Sequence, residues 1–360
     1  MHDRGFLCEE AQRIRDLSVE IWGEDRAVDL VGQAPNFREL LTKIVKAARY
    51  REPVLITGES GVGKEFLAQS IYLTSDLRNG PYVSMNCPQY REGNLTTSEL
   101  FGHKKGSFTG AIVDRKGAFE EAHNGVLFLD EIADLYIDAQ AMLLRALASG
   151  EFKPLGSERP RLASVRVVAA TNRPLKDLVV AQQFRNDLLF RLRYFLLQVP
   201  PLRERGDDWR LLLEFTLARL QRKYGVEKRF SIGSMKILEG QQWPGNVRQL
   251  ISVATMGYAM ADGDVIEPAD FASQIEESGD AVSAVDNLYH RLIQEKLDFW
   301  DVVYKPFMDR ELNRQQVKSI ISRGLISSNG SYRDMLTLLN MPTSDYQRVM
   351  DFLRHHQLKP

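Results

Sequence analysis

The stretch Gly58-Glu59-Ser60-Gly61-Val62-Gly63-Lys64 sets three glycines and one lysine at the spacing of a phosphate-binding loop. Glycines let successive backbone N–H groups turn inward around phosphate oxygens. A helix starting behind them adds partial positive charge, and Lys64 reaches the outer phosphates. A Gly-rich turn that binds nothing is the alternative. The general pattern places Ser or Thr after the lysine to touch magnesium, whereas this chain has Glu65. Further along, Gly125-Val126-Leu127-Phe128-Leu129 leads into Asp130 and Glu131. Ending a buried apolar strand in two carboxylates is costly without a cation. That cost is offset if Asp130 holds Mg2+ through water and Glu131 polarises an attacking water as general base. Two acids that only cap the next helix are the alternative.

Such a site needs a sheet with strand ends along one edge. Five apolar runs supply it, at 53–57, 82–86, 126–130, 165–170 and 194–199, with amphipathic helical patterns between them. Strands alternating with helices imply an α/β fold, a mostly parallel sheet flanked by helices. The expected organisation is a leader helix over 1–25, with Ala11, Ile14, Leu17 and Ile21 at helical spacing, and an α/β domain over 26–205. A helical lid over 206–275 follows, then a linker and helical segment over 276–311, and an all-helical region over 312–360. No sensory domain is expected within a leader this short.

Composition bounds the rest. Hydrophobic residues make up 44% and charged residues 26%, ample for a large core. The net charge is −1, so any nucleic-acid surface must be local. The two cysteines, Cys8 and Cys87, are far apart, which argues against a disulfide framework and fits a reducing compartment. The sequence has neither an apolar run of membrane-spanning length nor a signal peptide, so the expected location is the cytoplasm.

The two acidic and phosphate motifs resemble those of AAA+ P-loop NTPases. The resemblance assigns Thr171-Asn172, closing the fourth strand, to the sensor-one position, although Thr-Asn shortly before Pro174 is also a plain turn. It makes Arg185 and Arg191 fingers that enter a neighbouring subunit's nucleotide in a ring, where a guanidinium stabilises phosphoryl transfer. It makes Arg248, in Trp243-Pro244-Gly245-Asn246-Val247-Arg248, the sensor-two arginine of the lid. It also gives Asn86 the role of a hydrogen-bond partner that holds Glu131 inactive.

A narrower resemblance rests on Phe101-Gly102-His103-Lys104-Lys105-Gly106-Ser107-Phe108-Thr109-Gly110-Ala111. Residues 106–111 resemble the G-A-F-T-G-A loop of sigma-54-dependent transcriptional activators, with Ser107 in place of Ala. From the residues alone, a flexible loop showing an aromatic beside two lysines is a liability unless it grips something. A surface turn with Phe108 folded into the core is the alternative. The resemblance covers roughly 28–272 and includes Glu65 after the lysine, which that family uses, and the stretch 199–205. It implies an ATPase that uses ATP and Mg2+ and works as a homo-oligomeric ring, usually a hexamer. Gly106, Ser107, Phe108, Thr109, Gly110 and Ala111 would contact the sigma-54 factor. Hydrolysis would convert the closed promoter complex of RNA polymerase into an open one. Residues around 152–162 resemble the family's second pore loop. Most members carry an N-terminal receiver or ligand-sensing domain, so control of this chain is expected from a regulator protein in trans, from expression level, or from a part outside this sequence.

At the C-terminus, two short amphipathic helices over 331–339 and 344–354 flank Asn340-Met341-Pro342, and a helix over about 311–324 precedes them. The arrangement resembles the Fis-type helix-turn-helix that often ends these activators. It would place Ser344, Tyr346, Gln347 and Arg348 in the major groove of double-stranded DNA upstream of promoters, with Arg333, Arg354 and Lys359 on phosphates. Residues 312–360 hold Arg314, Lys318, Arg323, Arg333, Arg348, Arg354 and Lys359 against Asp334, Asp345 and Asp351, a modest +4. A helical hairpin or dimerisation bundle is the alternative. Residues 286–310, with Trp300, Tyr304 and Phe307, are apolar enough to pack, and nothing in them points to a function.

Overall fold

The computed structural model describes residues 6–89, 93–108, 111–275, 288–309, 312, 314–328, 330–356 and 358. The chain divides into two compact units, Met1–Asp270 and Phe271–Pro360.

The first unit is built on a five-stranded, all-parallel sheet. Its strands are β1 (Val54–Thr57), β2 (Tyr82–Asn86), β3 (Gly125–Asp130), β4 (Val165–Thr171) and β5 (Phe195–Gln198), in the order β2-β3-β4-β1-β5. Val54, Leu55 and Ile56 of the inner strand β1 are buried, as are Val126 to Leu129 of β3 and Val167 to Ala170 of β4. Such unbroken aliphatic runs suit a parallel sheet covered on both faces. The expected five strands are all present. The first starts one residue later than the apolar run, and β5 is two residues shorter.

Helices α1 (Glu9–Trp22), α2 (Pro35–Ala48), α3 (Lys64–Leu73), α4 (Gly93–Phe101), α5 (Ala118–Glu121), α6 (Ile137–Ser149), α7 (Leu175–Val180) and α8 (Asn186–Leu192) belong to this part. In α2, Pro35 occupies the first turn, where its missing N–H costs nothing, and Phe37, Leu40, Leu41, Ile44, Ala47 and Ala48 form the buried stripe. Arg166, buried in β4, donates to the carbonyls of Ala47 and Ala48 at 2.7 and 2.9 Å. It thereby satisfies two acceptors that the end of α2 leaves unpaired.

The lid contains α9 (Asp208–Tyr224), α10 (Ile232–Glu239) and α11 (Asn246–Met260). It departs from the expected all-helical pattern by a short parallel pairing of Arg229–Phe230 with Val265–Ile266. Alpha-helix α9 ends on Gly225 in the left-handed conformation, and Ser231 caps α10 by accepting from the Ser234 amide.

The second unit contains α12 (Arg314–Ser327), α13 (Tyr332–Leu338) and α14 (Tyr346–His355). Val317, Ile320, Leu336, Leu339, Val349 and Leu353 share one core with Tyr289, Leu292, Phe299 and Val303. Residues 289–303 thus pack with the last three helices. Between α13 and α14, Asn340 takes a left-handed φ of 55°.

Candidate nucleotide site and the loop above it

The parallel register brings the carboxyl ends of the strands to one edge. Thr57 pairs with Thr171 and with Gln198, and Asn86 with Asp130. Ligands of open parallel sheets bind at this edge. The loop Gly58–Gly63 leaves β1 there and enters α3, with Gly61 and Gly63 at φ of 79° and 93°. Both angles lie in the region that only glycine enters without strain.

Lys64 is 7% exposed and folds back over its own loop, donating to the carbonyls of Gly58 at 3.0 Å and Glu59 at 3.2 Å. Its ammonium stands 3.8 Å from Glu131 Oε1. Burial lowers the Lys64 pKa, and the nearby Glu131 and Asp130 carboxylates oppose that shift. Asp130 ends β3, and its Oδ1 accepts from the Glu131 amide at 3.1 Å. Glu131 itself has a left-handed φ of 49°, an uncommon conformation that turns its side chain back to the edge. Its Oε2 accepts from the Asn172 amide at 3.1 Å. Thr171 is fully buried and accepts from the Arg173 amide through Oγ1 at 3.0 Å. Glu65 lies exposed in the first turn of α3.

Asn86 is the neighbour of Asp130 across the β2–β3 ladder, but among the described residues Glu131 is held by the Asn172 amide and by Lys64. The backbone turn that puts Glu131 at positive φ swings its carboxylate toward β4.

The lid closes on the loop through the start of α11. Arg248 N donates to the Gly61 carbonyl at 3.2 Å, and its Nη1 lies 3.4 Å from Ser60 Oγ. Arg205 and Asp208 form a fully buried ion pair at 2.9 Å. Asp208 accepts from the amides of Gln33 and Ala34, while Arg205 donates to the Val31 carbonyl and stacks on Phe37 at 3.7 Å. The segment before α2 is therefore fastened to the root of α9. Asn246 and Arg203 also bind the loop, through Glu59 and Ser60; residue type and spacing give neither a role, although both lie in the stretches that carry the resemblance.

The two candidate finger arginines differ. Arg185 stands at the N-cap position of α8, with its exposed guanidinium paired to Asp187 at 2.7 and 3.0 Å. Arg191 is half-buried and donates to the Leu147 carbonyl at 2.9 Å and the Tyr194 hydroxyl at 3.0 Å.

Between β2 and β3 the chain rises through α4 into the loop at 103–115. His103 bridges to Arg115 and to Leu155, so the root of the loop is tied to the ribbon formed by Glu151–Phe152 and Arg161–Leu162. Gly106 N donates to the Ala111 carbonyl at 2.8 Å, and Ala111 N to the Phe108 carbonyl at 3.0 Å. Phe108 is half-buried, its ring edge-on to His103 at 5.1 Å, rather than fully displayed. The exposed apolar pair is Ile112 and Val113, 76% and 65% exposed. Thr109 and Gly110 lie outside the described residues.

Residues 30–198 match the family described as the sigma-54 interaction domain, and residues 203–287 match the AAA+ ATPase lid domain. The chain belongs to the family of sigma-54-dependent activators. The nitrogen fixation protein VnfA of Azotobacter vinelandii is 40% identical to this family member over 270 residues, covering 74% of this chain and 52% of VnfA. The response regulator protein PilR of Pseudomonas aeruginosa is 40% identical over 299 residues, covering 81% of this chain and 66% of PilR. The chain thus spans about half the length of VnfA and two thirds of that of PilR. Among solved structures, NtrX of Brucella abortus in complex with ADP superposes with a TM-score of 0.64 at 25% identity, covering 95% of this chain and 71% of that one. No helix among the described residues is long and apolar enough to cross a membrane.

In the second unit, the residues expected to meet DNA are not equally free. Ser344 and Gln347 are exposed. The Arg348 guanidinium stacks on Trp300 at 3.8 Å, and the Trp300 indole donates to Asp345 at 3.0 Å. Arg333 lies over the Tyr346 ring at 5.8 Å. Lys359 is outside the described residues.

Proposed function

We propose that this chain hydrolyses ATP as a homo-oligomeric ring, a hexamer when active, and spends that energy remodelling RNA polymerase bearing sigma-54 from a closed to an open promoter complex. The observation that carries the reading is the placement of the 106–111 loop. It is borne on the insert between β2 and β3, whose neighbouring last residues, Asn86 and Asp130, lie at the nucleotide edge. The insert leaves the sheet at Asn86, so a change at that edge reaches the loop through α4.

The residues fit ATP with Mg2+. Among the described residues no cluster of three or more His, Cys, Asp or Glu could cage a metal. Magnesium suits such a site, because it keeps its waters and binds one or two carboxylates together with substrate phosphates. Asp130 is the residue to hold it, and when bound it neutralises charge on the phosphates. Residues 58–65 wrap the phosphates and Lys64 turns from its own loop carbonyls to the outer phosphates. Glu131 accepts the proton of the attacking water, oriented from β4 by Asn172, with Thr171 fixing the turn. Arg248 meets the phosphates from the lid. Arg185 reaches into the neighbouring subunit's site, and Arg191 completes that face.

Gly106 to Ala111 contact sigma-54. The half-buried Phe108 needs only to leave His103 to present its ring. The helix-turn-helix of α13 and α14 binds double-stranded DNA upstream of the promoter through Ser344, Tyr346, Gln347 and Arg348. The left-handed Asn340 at the turn and the local +4 charge support this reading. Arg348 must exchange its stack on Trp300 for a base or phosphate. A regulator protein acting in trans fits control of the ring. The test is open-complex formation at a sigma-54 promoter with purified polymerase, which should require both this protein and hydrolysable ATP. A signal without ATP refutes the reading.

A further inference from the structure

Asn246 opens α11 at a left-handed φ of 52° with its side chain fully buried. Both N–H donors of its amide are used on the loop. Its Oδ1 accepts from the Leu202 amide at 2.8 Å, and its Nδ2 donates to Glu59 Oε2 and to the Ser60 carbonyl, both at 3.1 Å. The other side of Glu59 is gripped by Arg203, whose two terminal nitrogens lie 2.6 and 2.8 Å from the two carboxylate oxygens. Arg203 holds the Glu59 carboxyl below its usual pKa. At the next glycine, the Gly245 carbonyl lies 2.2 Å from where a Cβ on Gly61 would stand. Residues 59, 60 and 61 are therefore each held from the lid side.

We infer that Glu59, Arg203 and Asn246 form a latch that makes the phosphate loop and the start of the lid helix one moving piece, with Arg248 carried on it. The inference rests on the reading of this site as an ATPase. These are positioning residues. The link to the chemistry is Glu59 itself: its side chain meets the lid, while its backbone carbonyl accepts from the Lys64 ammonium at 3.2 Å. Releasing the side chain frees the carbonyl that helps anchor Lys64.

Stability alone does not account for the pair. Arg203 and Glu59 are 36% and 41% exposed, and an ion pair that open to water contributes little to folding. Its forked, two-point geometry instead fixes direction. A bidentate clamp on the second residue of a phosphate loop is spent on where that loop points.

The experiment uses the full chain, a fluorescent ADP derivative as the binding probe, and steady-state ATP hydrolysis. Glu59→Gln and Arg203→Gln should each weaken ADP binding and raise KM by about 10-fold, with a smaller change in kcat, and the double variant should be no worse than either single one. Exchanging the charges in Glu59→Arg with Arg203→Glu should recover only part of the lost affinity, because the buried Asn246 Nδ2 then faces a donor instead of an acceptor. Independent, additive losses, or variants that only melt earlier while binding ADP like the parent, overturn the latch. A parent protein that binds ADP but does not hydrolyse ATP overturns the ATPase reading instead, and the binding arm still decides the latch. A parent that does neither removes both.

Discussion

The Glu131 carboxylate accepts a hydrogen bond from the Asn172 amide at 3.1 Å, which ties the acid at the end of β3 to the strand beside it. This orients one oxygen of the proposed base, whose other oxygen faces Lys64 at 3.8 Å. Replacing Glu131 with Gln keeps the shape and removes the base. ATP hydrolysis should fall by about 100-fold or more while ADP affinity holds. Lys64→Ala should instead weaken nucleotide binding. Steady-state hydrolysis and fluorescent ADP titration separate the two. Full hydrolysis by Glu131→Gln removes it as the base.

Arg185 and Arg191 should separate as well. Arg185→Ala loses an exposed side chain that, among the described residues, pairs with its near neighbour Asp187. It should abolish hydrolysis without lowering the melting temperature, and mixing it with Lys64→Ala should restore part of the activity. Arg191→Ala leaves the Leu147 carbonyl without its donor, which costs about 1–3 kcal/mol if water cannot replace it. It should therefore lose hydrolysis and melt earlier. Failure of every mixing ratio would place Arg185 within its own subunit or in ring assembly alone.

Two glycines with similar angles should respond differently. Gly61 and Gly106 have φ of 79° and 82°. A Cβ on Gly61 would strike the Gly245 carbonyl, whereas one on Gly106 meets nothing within 4 Å. Gly106→Ala should cost only the backbone strain, about 1–2 kcal/mol. Gly61→Ala should cost more and weaken ADP binding, because the lid must shift. Thermal melts and ADP titration of both variants check this, and equal effects would contradict the close approach.

The boundary of the second unit gives a further prediction. A chain cut after residue 311 keeps Leu292, Phe299 and Val303 but loses Val317, Leu336, Val349 and Leu353, which pack against them. Burial of each such side chain contributes about 1.5–3 kcal/mol, so this fragment should aggregate. A chain cut after residue 275 should stay monodisperse and still hydrolyse ATP. Sedimentation of the two fragments decides the point. Loss of upstream footprint in the shorter chain would support DNA binding by α14, and an unchanged footprint would refute it.

Much of the nucleotide edge was legible because its chemistry is local in sequence. Gly58 to Lys64 and Val126 to Glu131 are each continuous, and apolar runs marked the strands that carry them. The latch was not, since Glu59, Arg203 and Asn246 meet only after the lid folds onto the loop. An Asn at positive φ leaves no pattern beyond the residue type, which tolerates that conformation better than most. Residues 286–310 read as apolar without a partner because the residues they pack against, Val317 to Leu353, come later in the sequence. Phe108 looked exposed because nothing in the sequence tells that His103, five residues earlier, folds beneath it.

The most direct measurement of the central claim is sigma-54 binding by loop variants in the presence of a transition-state nucleotide analogue. Phe108 lies on the loop at 106–111 rather than among the nucleotide-site residues, and its ring rests on His103. Phe108→Ala and Thr109→Ala should hydrolyse ATP and form rings like the parent, yet show no complex with sigma-54 and no promoter opening. If both variants hold sigma-54 and open promoters as the parent does, the 106–111 loop is not the contact and the proposed activation of sigma-54 polymerase through it is wrong.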